Sequence, residues 1–273
     1  LNPFSNDRNI ERKLDAVNAK ELYASAKEAL DRGDPTQAIK LYEEVDARFP
    51  FSRYATQAQL DSIYAHFRAY DHDLALATAR RFLKLHPRHP RVDYVYYVMG
   101  VINFERSRDE YENLLQVDSR VRDPVYARRS FEDFSLLIKR FPKSKYGHDA
   151  QQRMVYLKNG LARYELHVAN YYLKRRAWVA ANRRAQSLLE SFQGTDSVAP
   201  ALDILARSSE RLGLDVQARE ARLVLATNYP NYDGVLVDDD GFWRGWLNKS
   251  PVSGLLPVGN SKPEDVAPPP AAE

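Results

Sequence analysis

From Val17 onward, stretches in which apolar residues recur every three or four positions alternate with short polar breaks. Leu22, Ala26, Ala29 and Leu30 form the first stripe, Asp31-Arg32-Gly33-Asp34-Pro35 interrupts it, and Ile39, Tyr42 and Val45 resume it. Spacing near the helical period predicts two amphipathic helices, and the short break makes them antiparallel neighbours. Pro35 suits the first turn of the second helix, where its missing N–H costs nothing. Another pair follows, with Leu60, Ile63, Tyr64 and Phe67 before the turn Tyr70-Asp71-His72-Asp73, and Leu76, Ala79, Phe82 and Leu83 after it.

The second helix of each pair ends alike, at Phe49-Pro50, His86-Pro87, Phe141-Pro142, Phe192-Gln193 and Tyr229-Pro230. Twelve residues before each ending stands a small residue (Ala38, Ala75, Ser130, Ala181, Ala218), and seven after that a bulky apolar one (Val45, Phe82, Leu137, Leu188, Leu225). This recurrence resembles the second half of a tetratricopeptide repeat. The expected fold is all-α, a right-handed superhelical solenoid of five tetratricopeptide-like helix pairs. Such an array buries a core only by stacking neighbours, which favours binding over catalysis.

The intervals are unequal. Pro50 and Pro87 are 37 residues apart, near the roughly 34 of the standard unit. The next interval, to Pro142, is 55, and its excess lies between Ser107 and Val125, a polar stretch in which Asp123-Pro124 restarts a helix. The fourth, to Gln193, is 51; here His148 to Leu173 contains no proline and one glycine, Gly160, so an overlong helix is expected. The last interval returns to 37. The resulting division is a flexible lead-in (1–16), a solenoid (17–230) and a tail (231–273). Within the solenoid, N-terminal repeats (17–107) and C-terminal repeats (125–230) flank an insertion (108–124). The tail holds Asp238-Asp239-Asp240 and six prolines after Pro230, a composition expected to be disordered, with one apolar island at Phe242-Trp243-Arg244-Gly245-Trp246-Leu247.

Composition adds limits. The 273 residues are 44% hydrophobic, ample for a core, and 40 basic against 37 acidic side chains leave a net charge of +3, too balanced to imply nucleic acid. No apolar run reaches the ~18 residues of a membrane span. The charged opening Asn6-Asp7-Arg8 is not a signal peptide, and Leu1 in place of Met implies processing or truncation that leaves room for an export signal or lipid anchor upstream. With no cysteine, disulfides and thiolate chemistry are excluded for this stretch of chain.

Motifs for nucleotide binding, serine hydrolysis and zinc proteolysis do not occur, and no cofactor is expected. His86 and His89 flank Pro87 in a basic loop near Asp93 and read as loop-capping histidines rather than metal ligands; the aspartate run lacks the spaced ligands of a calcium loop. Three features point to binding. Phe51, Tyr54, Gln57, Gln59, Asp61 and Tyr64 mix aromatic and polar groups as a peptide groove does. Arg176, Arg183 and Arg184 surround Trp178, joining guanidinium forks to an aromatic anchor; Arg176 and Arg183, seven apart, are expected on one helical face. Phe242, Trp243 and Trp246 form a sticky patch suited to a partner, a membrane surface, or the last repeat.

Four separated segments carry a more specific likeness: Arg48-Phe49-Pro50-Phe51-Ser52-Arg53-Tyr54-Ala55 through Tyr64-Ala65, His89-Pro90-Arg91-Val92-Asp93-Tyr94-Val95, Arg122-Asp123-Pro124 before Ala127-Arg128, and Ala177-Trp178-Val179-Ala180-Ala181-Asn182-Arg183. In this order they resemble the BamD family of outer-membrane protein assembly factors, over about Tyr23 to Tyr229. The resemblance implies a lipoprotein scaffold of the β-barrel assembly machinery at the periplasmic face of the bacterial outer membrane. It implies that the N-terminal repeats form a groove for unfolded outer-membrane β-barrel proteins and for BamC, with BamE a further lipoprotein partner. By the same resemblance the C-terminal repeats meet a POTRA domain of BamA. Carried over by position, Phe51 to Tyr64 belongs to the groove and Arg183 to the BamA contact. The family's acylated cysteine is missing, so the only membrane attachment expected is an N-terminal lipid anchor outside this chain; no role for the tail follows.

Two other classes compete. A lytic enzyme on a helical superhelix would need a catalytic domain beyond the repeats, which leave only the tail. A generic tetratricopeptide co-chaperone or adaptor would share the fold and grip extended peptides through a carboxylate clamp of Lys and Asn, an arrangement the early repeats do not display.

Overall fold

A computed structural model of the chain describes residues 4–116 and 124–234. Among the described residues it is all-helical: α1 (Phe4–Asp31), α2 (Pro35–Arg48), α3 (Arg53–Arg68), α4 (His72–Leu85), α5 (Val92–Gln116), α6 (Val125–Arg140), α7 (Gly147–Lys174), α8 (Trp178–Ser191), α9 (Val198–Arg211) and α10 (Asp215–Asn228). These are the five helix pairs of the repeat pattern. The island Phe242, Trp243 and Trp246 and the disorder expected of the tail beyond Gly234 lie outside the described residues, as do 117–123 of the expected insertion.

Two compact units divide the chain. In the first, which holds α1 to α4 and the start of α5 through Ile102 together with Arg140–Tyr146, α1 packs on α2, α2 on α3 and α3 on α4, and α1 also touches α3. Small residues set the spacing: Ala19, Ala26, Ala29, Ala38, Ala55, Ala58, Ala75 and Ala79 are buried, letting Tyr42, Leu60, Ile63, Phe67 and Phe82 interlock between backbones. The second unit begins at Asn103, excludes Arg140–Tyr146, and stacks α7 on α8, α8 on α9 and α9 on α10, with α7 also reaching α9. Its core repeats the scheme, with Ala169, Ala181, Ala185, Ala201 and Ala206 against Leu166, Leu173, Leu188, Ile204 and Leu205.

One turn geometry closes the first helix of four pairs. The amide of Gly33 donates to Leu30 O and that of Asp34 to Ala29 O; Tyr70 and Asp71, Arg176 and Ala177, and Gly213 and Leu214 repeat both bonds. This is a Schellman motif, whose penultimate donor must adopt a left-handed backbone. Glycine fills that position at 33 and 213 (φ 81° and 71°), but Tyr70 and Arg176 fill it at φ 61° and 62°. A left-handed non-glycine residue is strained by roughly 1–2 kcal/mol. α2 and α3 begin with side-chain caps: Asp34 accepts from the Gln37 amide at 2.9 Å, and Ser52 from the Ala55 amide at 3.1 Å.

Three helix lengths depart from simple repetition. α1 starts at Phe4, well before the apolar period becomes visible at Val17, because Asp7 to Lys13 are polar except for Ile10, a sequence compatible with a helix that shows no stripe. α5 continues past Ser107 to Gln116, so the first half of the expected insertion is helical; Glu110, Glu112, Leu114 and Leu115 favour that continuation. α7 runs for 28 residues, twice the 14 of α8, as its freedom from breakers predicts.

Candidate functional site

In the first unit α3 divides the six groove residues between different surroundings. Tyr54, Gln57, Asp61 and Tyr64 follow the i, i+3, i+7, i+10 spacing of one helical face. Asp61 is buried there, accepting hydrogen bonds from Gln57 Nε2 at 2.7 Å and from Tyr23 Oη at 2.6 Å. Tyr23, on α1, also sets its ring 5.7 Å from Tyr54 and 5.9 Å from Tyr42. Burial raises the Asp61 carboxyl to about 7, with the bonds from Tyr23 and Gln57 and the charge of Lys27 pulling the other way. The Tyr23 and Tyr42 phenols are pushed far above their usual range, by burial first and the nearby Asp61 second.

Tyr64 is buried and takes the Arg68 guanidinium 5.8 Å above its ring. Arg53 does likewise for Tyr54, at 4.9 Å. Gln59 points to another face, donating to Asp46 of α2 at 2.6 Å and pairing with His86 Nε2 at 2.9 Å. His86 and His89 rest on the Phe82 ring at 5.0 and 5.2 Å, which gives both loop histidines a packing role. Phe51 stands wholly exposed just before the Ser52 cap. The structure thus joins Tyr54, Gln57 and Asp61 around Tyr23, and leaves Phe51 and Gln59 apart from them. Tyr23 was missed in the sequence; its place on the 19–23–26–30 spacing with Ala19, Ala26 and Leu30 is the signal that marks it as inward.

In the second unit the α7–α8 turn and α8 build a shallow cavity of ≈ 800 Å³ with Tyr172, Trp178, Ala180 and Leu212 among its lining and Arg176, Arg183 and Arg184 at its edge. The shared helical face expected for Arg176 and Arg183 is not what unites them. Arg176 belongs to the turn between α7 and α8, in the left-handed conformation, and Arg183 to the second turn of α8. The two meet because the turn folds over the start of α8. Trp178 opens α8 and has the Arg211 guanidinium 5.7 Å from its ring.

The arginines differ in freedom. Arg184 donates to Glu165 Oε2 at 2.9 Å, and the same buried carboxylate meets Arg128 at 3.4 Å, so Glu165 ties α6, α7 and α8 together. Among the described residues Arg176 and Arg183 are exposed and carry no carboxylate partner. Beneath them Asn182 is buried and donates to Ser209 Oγ at 2.8 Å, Ser208 Oγ at 3.1 Å and Gln217 Oε1 at 3.2 Å. That network locks α8 to α9 and α10, so Arg183, the next residue, projects from a fixed backbone. A second lock is Arg163 of α7, paired with Asp196 in the α8–α9 loop; burial lowers this guanidinium to about 10.

Such a surface, an apolar floor with two unpaired guanidinium groups, can hold an acidic partner segment bearing an apolar anchor. Residues 15–224 match the family model YfiO, described as an outer membrane lipoprotein. The chain is 41% identical over 230 residues to the outer membrane protein assembly factor BamD of Neisseria meningitidis serogroup A, covering 83% of this chain and 86% of that protein. It is 38% identical over 208 residues to BamD of Vibrio cholerae (76% and 86% covered) and 30% identical over 217 residues to BamD of Haemophilus influenzae (80% and 83% covered). By the extent of these matches, the chain belongs to the YfiO outer membrane lipoprotein family, whose relatives include the BamD assembly factors.

Proposed function

We propose that this chain is a non-enzymatic scaffold of outer-membrane protein assembly, working within the β-barrel assembly machinery at the periplasmic face of the outer membrane and held there by an N-terminal lipid anchor. Membership of a lipoprotein family whose relatives carry the assembly-factor name supports the setting. In this reading the second unit binds the POTRA region of BamA through Arg176, Trp178, Arg183 and Arg184. The first unit engages unfolded β-barrel substrates at Phe51 and Tyr54, with Gln57, Asp61 and Tyr64 stiffening the wall behind Tyr54 while Gln59 holds α3 to Asp46 and His86 on another face; BamC and BamE are the accompanying lipoproteins. The observation that carries the proposal is the cavity edged by Arg176 and Arg183, both exposed beside a partly buried Trp178.

Arg183→Glu tests it. The side chain is exposed and outside the buried network, so the variant should fold with an unchanged helical spectrum while its affinity for purified BamA POTRA domains falls at least ~10-fold, the cost of replacing an attraction by a repulsion across an interface. Equal affinity of the folded variant and the parent would refute the contact. For the first unit, a photo-crosslinking residue at position 51 or 54 should capture peptides from the last strand of an outer-membrane barrel; capture confined to α9 and α10 would refute the groove.

A further inference from the structure

Within the stack, α2 is covered by α3 and α8 by α9. α10 ends the described array and packs on α9, burying Ala218 and Ala221 alone. Four large apolar side chains on it and its N-cap remain exposed: Leu214 (46%), Val216 (61%), Leu223 (67%) and Val224 (41%). Val216 and Leu223 are seven apart and share a face. Terminal repeats of a solenoid need a cover, and clustered exposed apolar groups on a 14-residue helix mark where it goes.

We propose that the cover is the island Phe242–Leu247 of this same chain, docked on the outer face of α10. Three observations select it. The described chain ends at Gly234, and the eight residues from there to Phe242 can span about 26 Å when extended, more than the roughly 21 Å length of α10. The chain also turns back on leaving α10: Tyr232 is half-buried beside Asp203 and Arg207 of α9, its phenol raised to about 12 by burial and the Asp203 charge. Arg219 on α10, which has no carboxylate partner among the described residues, offers a cation to the Asp238-Asp239-Asp240 run that immediately precedes the island, with the exposed Glu220 beside it opposing that attraction. Trp243, Trp246 and Phe242 supply the large flat area that the exposed pair Val216 and Leu223 accepts.

No cysteine occurs in these 273 residues, which allows a direct test on this chain. Thr227→Cys and Asn248→Cys place one thiol near the end of α10 and one just past the island. A short bis-maleimide is applied to a mixture of isotopically light and heavy protein. Docking within one molecule gives light–light and heavy–heavy crosslinks, and adding Trp243→Ala and Trp246→Ala lowers their yield at least ~10-fold because two aromatic anchors are lost. Amide exchange along α10 should quicken in the same tryptophan variant, and Leu223→Asp should release the island equally. Mixed light–heavy crosslinks would assign the face to a second copy and overturn the proposal. So would protection of the island that requires phosphatidylethanolamine–phosphatidylglycerol vesicles, or a crosslink yield indifferent to the tryptophans.

Discussion

Replacing Asp61 by Asn should abolish a pH dependence of stability that the parent carries. Asp61 is 5% exposed, and burial raises its carboxyl from 3.8 to about 7. Between those values the folded chain holds a proton there that the unfolded chain has lost, so the folded state binds more protons and stability falls as pH rises. The contribution is complete below about pH 4, declines through the interval, and levels off above about pH 7. At ~1.36 kcal/mol per pKa unit, the full decline is at most about 4 kcal/mol, of which more than half falls between pH 5 and pH 8. Asparagine occupies nearly the same volume and can still accept from Gln57 or Tyr23, so the cluster survives while the titration disappears. Urea unfolding followed by circular dichroism at about pH 5 and pH 8 supplies the comparison, with the difference between parent and variant cancelling the other carboxylates. An identical slope in the two proteins would refute the assignment of a buried, protonatable Asp61.

Tyr70→Gly should stabilise the chain by up to about 1 kcal/mol, since relief of left-handed strain outweighs the added freedom of glycine when unfolded, whereas Gly213→Ala should destabilise by about 1–2 kcal/mol; thermal melts decide both signs. Asn182→Ala leaves the buried Ser208 and Ser209 hydroxyls short of a donor and should cost about 1–3 kcal/mol in chemical denaturation, with faster exchange in α9. Asp196→Ala strips a charge partner from the buried Arg163 guanidinium and should lower stability by roughly 2 kcal/mol, whereas Asp196→Ala combined with Arg163→Met should recover much of it.

Legibility followed the repeat. Ala38, Ala75, Ser130, Ala181 and Ala218 are all buried, and Phe49, His86, Phe192 and Tyr229 stand as C-caps of α2, α4, α8 and α10, because each copy rewrites one packing contact at one spacing. Contacts between copies leave no such trace. Tyr23 and Asp61 are 38 residues apart, and nothing near either announces the other. The seven-residue spacing groups Arg176 with Arg183 on one helical face that the intervening turn breaks, yet the same turn returns it to the cavity. Asn182 looks like one more polar helix residue until α9 and α10 supply its acceptors. The end of α5 was obscured by composition: acidic and amide residues past Ser107 read as loop but are compatible with helix.

Four turns of this chain share one backbone path and differ in what they display: a bare hydrogen at 33 and 213, a phenol at 70, a guanidinium at 176. The left-handed position therefore acts as an interchangeable mount, whose occupant can be exchanged without redrawing the loop that carries it. Moving the arginine from 176 to 213, or the tyrosine from 70 to 33, relocates a chemical group by one repeat along the chain while every hydrogen bond of the turn is kept. A chain built on this mount can change what its turns present by point substitution alone, with neither insertion nor deletion, and at a cost in stability small beside that of altering the core.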